Sequence, residues 1–566
     1  MKLARCAFAS LALLLFVRPA HADALDDLAR DFWAWRATEM PVSNDDIPRL
    51  DRPAGWVPDW SPAAAARYQK DLERFESRWK AINSSGWPVP RQVDYRLIGS
   101  AIARVRWELL VNRSWQRDPV FYLDQTLGAY VLLILPPPPF DPARSQQIVA
   151  TLRSFPATLD AARQNLTHPA APFAGLALER LRTAGDALTK STAALKSRLA
   201  GDAAGNLDAA TADAVKALDG YGAWLVAQMP SMTNDTAVGR DAYIFFLRNV
   251  ALCPYTPEQL LEIGRLEWAR AVALEAYEQN RNSWIPVPLL QPDLQSNIAL
   301  EEQDENSIRK FLETHNLLTV PASTPHYVFR QIPPWLSPFR GDSGEEDDFT
   351  GPSRLKDPGI RYIYPPSPSL GYFARTMAWE PRGITVHEGI PGHYFQLWLS
   401  WNHPDAIRRH YYDSGANEGI GFYAEEMMMH AGLFEVSPAS PHSREMIASF
   451  MRLRALRVEV DVKLALGQFT LDQAADYLHR NVPMDVGTAH AEAAFFAAGP
   501  GQAISYQIGK VQITRMLADA RNQKGDWFSL KKFHDFVWLN GNVPISLQRW
   551  ELLGLRDEVD AADNLH

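Results

Sequence analysis

The chain has 566 residues, 46% hydrophobic and 11% aromatic, enough to bury a large core and incompatible with a mostly disordered protein. Its 57 basic and 66 acidic residues leave a net charge of −9 with no long basic run, which argues against a phosphate-tracking surface, so no nucleic-acid partner is expected.

Residues 1–22 have the pattern of a signal peptide: Lys2 and Arg5, an apolar run from Leu11 to Val17, and Ala20-His21-Ala22 as a cleavage site before Asp23. That run is too short to cross a bilayer, and no later stretch reaches the roughly 18 apolar residues a membrane helix needs. Cys6 precedes the apolar run and follows Arg5, which does not suit a lipid anchor. Cys253 is then alone in the mature chain, so stability in an oxidising compartment must come from the core and not from an internal disulfide. A periplasmic or secreted protein without a membrane span is expected.

From Ala24 to about Leu247 apolar residues recur at helical spacing. Leu25, Leu28, Phe32 and Trp35 form one stripe; Tyr95, Ile98, Ile102, Val105 and Leu109 form another. Pro136 to Pro142 stop a helix, and the Ala/Leu-rich stretch from Ala143 to Val226 predicts paired antiparallel helices. Turn residues from Met229 to Asp235 mark a boundary, dividing the chain into an N-terminal helical region, 23–235, and a C-terminal mainly helical region, 236–566. Thr256-Pro257-Glu258-Gln259 predicts a capped helix start, and a further helix is predicted from near Ser307 to before Pro321. Between Pro321 and Pro381 the pattern changes. Tyr327-Val328-Phe329 and Tyr362-Ile363-Tyr364 predict short strands, and Glu345-Glu346-Asp347-Asp348 a solvated loop without the spacing or glycine of a calcium loop. Helical spacing returns at Ile384.

The chemistry concentrates in Val386-His387-Glu388-Gly389-Ile390-Pro391-Gly392-His393. Two imidazoles and a carboxylate are what a zinc hydrolase needs, but here the histidines are six apart. On a straight helix that means about 9 Å of rise and roughly 120° of misdirection. Pro391-Gly392 removes the conflict by breaking the helix, so that two residues loop out and His393 comes under His387. Spacing alone leaves a chance His-Glu pair equally open. Downstream, Asn417-Glu418-Gly419 opens a predicted helix on which Glu418 and Glu425, seven apart, share a face. Glu425 is readable either as a partner that fixes a histidine tautomer or as an ordinary exposed charge.

Three ordered elements, His387 to Tyr394, Glu418 to Glu425 and Pro500-Gly501-Gln502-Ala503-Ile504-Ser505-Tyr506-Gln507-Ile508-Gly509, resemble those of the bacterial family DUF885, similar to gluzincin-type helical zinc metallopeptidases. Phe533-His534-Asp535 and Asn540-Gly541-Asn542 add to the likeness, which is tight from about Tyr362 to Leu547. The resemblance implies a mainly α protein, a large metallopeptidase-like architecture of two helical halves around a cleft, with a small β element before the motif. It implies one Zn2+ held by His387, His393 and Glu418, with Glu388 as general base and Tyr506 donating to the oxyanion. Departures from the family pattern are Tyr394 in place of a second histidine, Gly419-Ile420-Gly421 with a roomier wall beside the metal, and no histidine soon after Val460-Asp461, a gap that His490 would fill unless it is an ordinary exposed helix histidine. Arg375 and Arg382 are readable as holding a substrate carboxylate or as members of a structural salt bridge. The expected function is a zinc metallopeptidase acting on short peptides or small amides. The alternatives are a binding or scaffold protein with a structural or vestigial metal site, and a zinc hydrolase of a non-peptide amide or ester.

Overall fold

The computed structural model describes residues 23–39, 41–42, 50–339, 346–347, 352–365, 367, 371–436 and 440–566, without the side chains of 374, 375, 377 and 378. The signal-peptide pattern, Arg375's side chain and part of the acidic stretch lie outside them. The chain is mainly helical, 72% helix and 3% strand, with one small sheet. Among the described residues, no helix is long and apolar enough to cross a membrane.

The N-terminal stripes form as read. Leu25, Leu28, Phe32 and Trp35 are buried on the helix Ala24–Glu39, and Ile98, Ile102, Val105 and Leu109 along the helix Val89–Arg106 and the π-helical turn after it. Burying each such side chain stabilises the fold by about 1.5–3 kcal/mol. The Ala/Leu-rich stretch folds as three helices, Pro142–Asn165, Ala171–Leu195 and Ala203–Gln228, the third packing against both others. The largest apolar cluster takes in Leu72, Ile148, Leu188 and Leu218 together with Trp335, Ile360, Ile407 and Val543, so it spans both sides of residue 235.

Thr256 and Gln259 close the expected capping box on the helix Pro257–Arg281. The next helix, Leu294–Thr314, begins well before Ser307, at an Asp293 cap. Its first turns escaped the apolar pattern because much of their buried face is polar: Asn297, Glu301, Asp304 and Glu305. Strand β1 (Tyr327–Gln331) pairs in parallel with β3 (Gly359–Ile363), and β2 (Glu346–Asp347) pairs antiparallel with β3, giving the order β1-β3-β2. Part of the acidic stretch is therefore strand and not solvated loop. Glu346 pairs with Arg361 at 2.9 Å and buried Asp347 with Arg354 at 2.8 Å.

The C-terminal helices carry the candidate site. Ser414–Ala431 and Gln502–Lys524 cross where Gly419 meets Gly509; a Cβ on Gly509 would stand 2.1 Å from the Gly415 carbonyl oxygen. A second apolar cluster, with Val386, Ile390, Phe395, Ile420, Phe422, Ile513 and Trp538, packs beneath the histidine motif.

Candidate metal centre

Thr385–Gly389, which carries His387 and Glu388, is a π-helical turn closed by Ile390 N–H donating to the Thr385 carbonyl at 3.0 Å. Such turns recur at functional sites because they re-aim side chains. The chain then leaves helical geometry at Ile390, passes a cis Ile390-Pro391 bond and restarts as the helix His393–Trp401. The two histidines thus sit on separate elements, not on one helix with looped-out residues, and their rings come to 4.6 Å at 79°. Gly392 allows the approach: a Cβ there would fall 1.7 Å from the His387 carbonyl oxygen. Trp538 Nε1 donates to the Pro391 carbonyl at 2.6 Å, satisfying an acceptor the break exposes, and the Tyr327 ring of β1 covers Gly389.

Glu418 reaches the pair from the helix Ser414–Ala431, which Asp413 caps through Ala416 N–H. Asn417 donates to Gln396 Oε1 at 3.3 Å, and Asn542 to the same oxygen at 2.7 Å, so Gln396 ties three elements together beside the motif. Glu418 Oε2 lies 3.4 Å from His387 Nε2 and 3.2 Å from His393 Nε2. Glu388 Oε2 is 3.9 Å from His393 Nε2. Burial pushes the Glu418 carboxyl up, but His393 and His387 hold it well below the usual range. Burial pushes the His387 imidazole down, yet Glu418 and Glu425 hold it up, to about 10.

Glu425 is buried, with Oε1 2.7 Å from His387 Nδ1 and 3.1 Å from Arg454 Nη2. Tyr506 stacks on the His387 ring at 6.3 Å and 16°, and burial together with the nearby Glu418 charge pushes its hydroxyl pKa well up. Asp461 holds the start of the Tyr506 helix: it accepts from Gly501, Ala503 and Ile504 N–H and from the Tyr243 hydroxyl. The Val-Asp element therefore serves the site by placing Tyr506.

The bacterial family DUF885, described as proteins of unknown function, matches residues 44–282 and 292–552. The chain belongs to this family. A solved structure from Shewanella oneidensis, titled a "putative lipoprotein of unknown function", is similar at a TM-score of 0.71 and 19% identity, covering 94% of this chain and 99% of that one. A structure described as the "putative lipoprotein" from Colwellia psychrerythraea is similar at 0.71 and 16%, covering 96% and 100%. At these identities the likeness concerns the fold. No curated protein matches the chain.

In this DUF885 chain His387, Glu388, His393, Glu418 and Tyr506 come together; other candidates do not. Arg382 is buried in a two-pronged ion pair with Glu380, 2.7 and 2.8 Å, and also reaches Ser443, so it is a structural cation. His490 faces solvent beside Asp472, 3.1 Å away, and does not fill a gap in the site. His534 is buried, bonded to the Tyr423 hydroxyl and the Leu317 carbonyl. Tyr394 turns towards the sheet and donates to the Asp357 carbonyl. Gly421 does not make the wall roomier: the imidazoles fill that space, and a Cβ on it would lie 2.9 Å from His393 Cε1. Sequence reading missed Arg454 and Arg457. Their signal was present, as charges interleaved with the apolar residues of Phe450–Val462, where a buried cation needs a partner.

The donor set has the composition of a site that could hold a metal ion. In a tetrahedral shell with Zn–N and Zn–O distances of about 2.0–2.1 Å, ligand atoms lie about 3.3 Å apart, close to the 3.4 and 3.2 Å between Glu418 Oε2 and the two Nε2 atoms. His387, Glu388 and His393 also form a group whose ligand atoms lie within 4.8 Å of one another.

Proposed function

We propose that this chain is a zinc-dependent hydrolase, a metallopeptidase of the gluzincin type acting on short peptides, with the metal held by His387, His393 and Glu418. The observation that carries the reading is the convergence of Glu418 Oε2 on both Nε2 atoms at tetrahedral spacing with Glu388 beside it. Three protein donors leave one position open, the mark of a catalytic rather than a structural zinc site. This favours an enzyme over a scaffold.

When bound, zinc would supply Lewis acidity, polarising a substrate carbonyl and acidifying a water molecule. Glu388, partly exposed and 3.9 Å from His393 Nε2, takes that water's proton and passes it to the leaving amine. Tyr506, stacked on the His387 ring and kept protonated by burial, donates to the carbonyl oxygen as negative charge develops there. Glu425, 2.7 Å from His387 Nδ1, pairs with that nitrogen and leaves Nε2 to face the ligand position. A cleft between two helical halves would restrict access to short chains. Export to the periplasm is part of the proposal, supported by the pattern of residues 1–22 and by the lipoprotein titles of the two structural neighbours.

The test is metal analysis together with peptide-library cleavage by wild type and Glu388→Gln. Stoichiometric zinc in both proteins, with cleavage by wild type alone, is the expected result. A Glu388→Gln protein that cuts as fast as wild type would remove Glu388 as the base.

A further inference from the structure

Beyond the metal donors, the same centre has a cationic group with an unused hydrogen-bonding edge. Arg457, on the helix Ser443–Ala465, is 6% exposed and lies among three aromatic rings, 4.7 Å from the Tyr506 centroid, 5.3 Å from Phe496 and 5.7 Å from Phe373. These faces fix the plane of the guanidinium. Glu492 Oε2 takes one edge, at 2.7 Å from both Nε and Nη2. Among the described residues, Nη1 has no acceptor, so the fork formed by Nη1 and Nη2 is uncommitted.

The charge is close to the candidate chemistry, since Glu418 and Tyr506 are among the groups whose fields act on Arg457. Tyr506 bridges the two: its ring stacks on His387 at 6.3 Å and lies 4.7 Å from the guanidinium carbon. One to three extended residues, at about 3.5 Å each, span that path. Arg454, one turn earlier, gives Nη2 to Glu425, and its Nε and Nη1 are buried without a partner behind Phe450 and Phe422, at 4.8 and 5.3 Å, so they are closed to a ligand.

We infer that Arg457 and Tyr506 form a subsite for the free α-carboxylate of a short peptide, which makes the substrate class carboxyl-terminated peptides cut one to three residues from their end. A planar carboxylate matches the free Nη1/Nη2 fork, and a fixed, poorly solvated guanidinium binds it more strongly than an exposed lysine would. Glu492 offsets the buried charge when no ligand is present. The inference rests on the hydrolase reading for the cut, but not for the binding.

Calorimetry on zinc-loaded Glu388→Gln protein tests it with two probes, N-acetyl-trialanine and its C-terminal amide. The acid is expected to bind at least about tenfold more tightly than the amide, the scale of a charge-assisted bidentate pair. Arg457→Met combined with Glu492→Gln in that background removes both charges, so no carboxylate is left unpaired. It is expected to erase the difference while zinc content stays at one per chain. Equal affinity for acid and amide, or a preference that survives the double change, overturns the subsite. Wild-type turnover separates the two readings: cleavage of acid and amide peptides with equal kcat/KM sinks the subsite alone. Acid-selective binding without cleavage of either probe sinks the hydrolase reading and leaves the subsite standing.

Discussion

Glu425 places its carboxylate 2.7 Å from His387 Nδ1 and 3.1 Å from the Arg454 guanidinium, so a buried cation lies two bonds of a network away from a candidate metal ligand. Arg454 keeps Glu425 ionised despite its burial, and ionised Glu425 orients the imidazole. Glu425→Gln keeps the shape and loses the charge. Zinc affinity, measured by chelator competition, is expected to fall by about 10–100-fold. An unchanged dissociation constant would mean that packing alone orients His387.

Gly421 lies under both imidazoles, where a Cβ would stand 2.9 Å from His393 Cε1 and 3.1 Å from His387 Cε1. Alanine is the better helix former by about 1 kcal/mol. Gly421→Ala is therefore expected to weaken zinc binding while leaving the urea midpoint unchanged or raised. A protein that keeps full zinc affinity would show that the rings can move aside at no cost.

The crossing of the helices Ser414–Ala431 and Gln502–Lys524 sets the distance between Glu418 and Tyr506. Gly509→Ala would drive a methyl to 2.1 Å from the Gly415 carbonyl oxygen, against backbone that cannot rotate away. A loss of about 1–3 kcal/mol or more is expected from overpacking, read as a lower urea midpoint. Wild-type stability in that variant would mean the helices are not in register as described.

Glu301 supplies a pH test away from the centre. Burial raises its pKa from about 4.5 to about 7, with Arg361 opposing and Asp304 adding to the rise; Oε1 accepts from Asn297 at 2.9 Å and Oε2 has no partner. Between those values the folded chain binds more protons than the unfolded chain, so stability falls as pH rises. This contribution is fully present below about 4.5 and is lost as pH rises through about 7. Glu301→Gln removes the slope, and urea unfolding is expected to find the variant gaining on wild type between pH 5 and pH 8. A gap that stays constant with pH would place the titration elsewhere.

Much of the fold was legible because apolar periodicity and caps are local signals. The buried stripe from Leu25 to Trp35, the Thr256 box and the strands at Tyr327 and Tyr362 all follow from residues near one another in sequence. The helix start at Asp293 was not legible, since first turns that bury Asn297, Glu301, Asp304 and Glu305 after Leu294 have no apolar period to read. Arg382, open in sequence between a carboxylate-holding group and a structural salt bridge, was undecided for a related reason. A cation near a motif looks like a ligand-binding group until its partner is known, and Glu380, only two residues away, takes both prongs of it.

The sequence by itself determined the histidines, the Pro-Gly break between them and the acidic residue downstream, because residue type and local breaks are written in order along the chain. It also determined membership in DUF885. Only the tertiary structure decided how they meet. Two short elements on either side of Pro391 aim His387 and His393 at one point, and the Gly419–Gly509 crossing brings Glu418 and Tyr506 to it. It also joins Glu425 to Arg454 and Arg457 to Glu492, across 29 and 35 residues of sequence. Such pairs form because a buried charge must find its opposite in space, and sequence spacing carries no record of that distance.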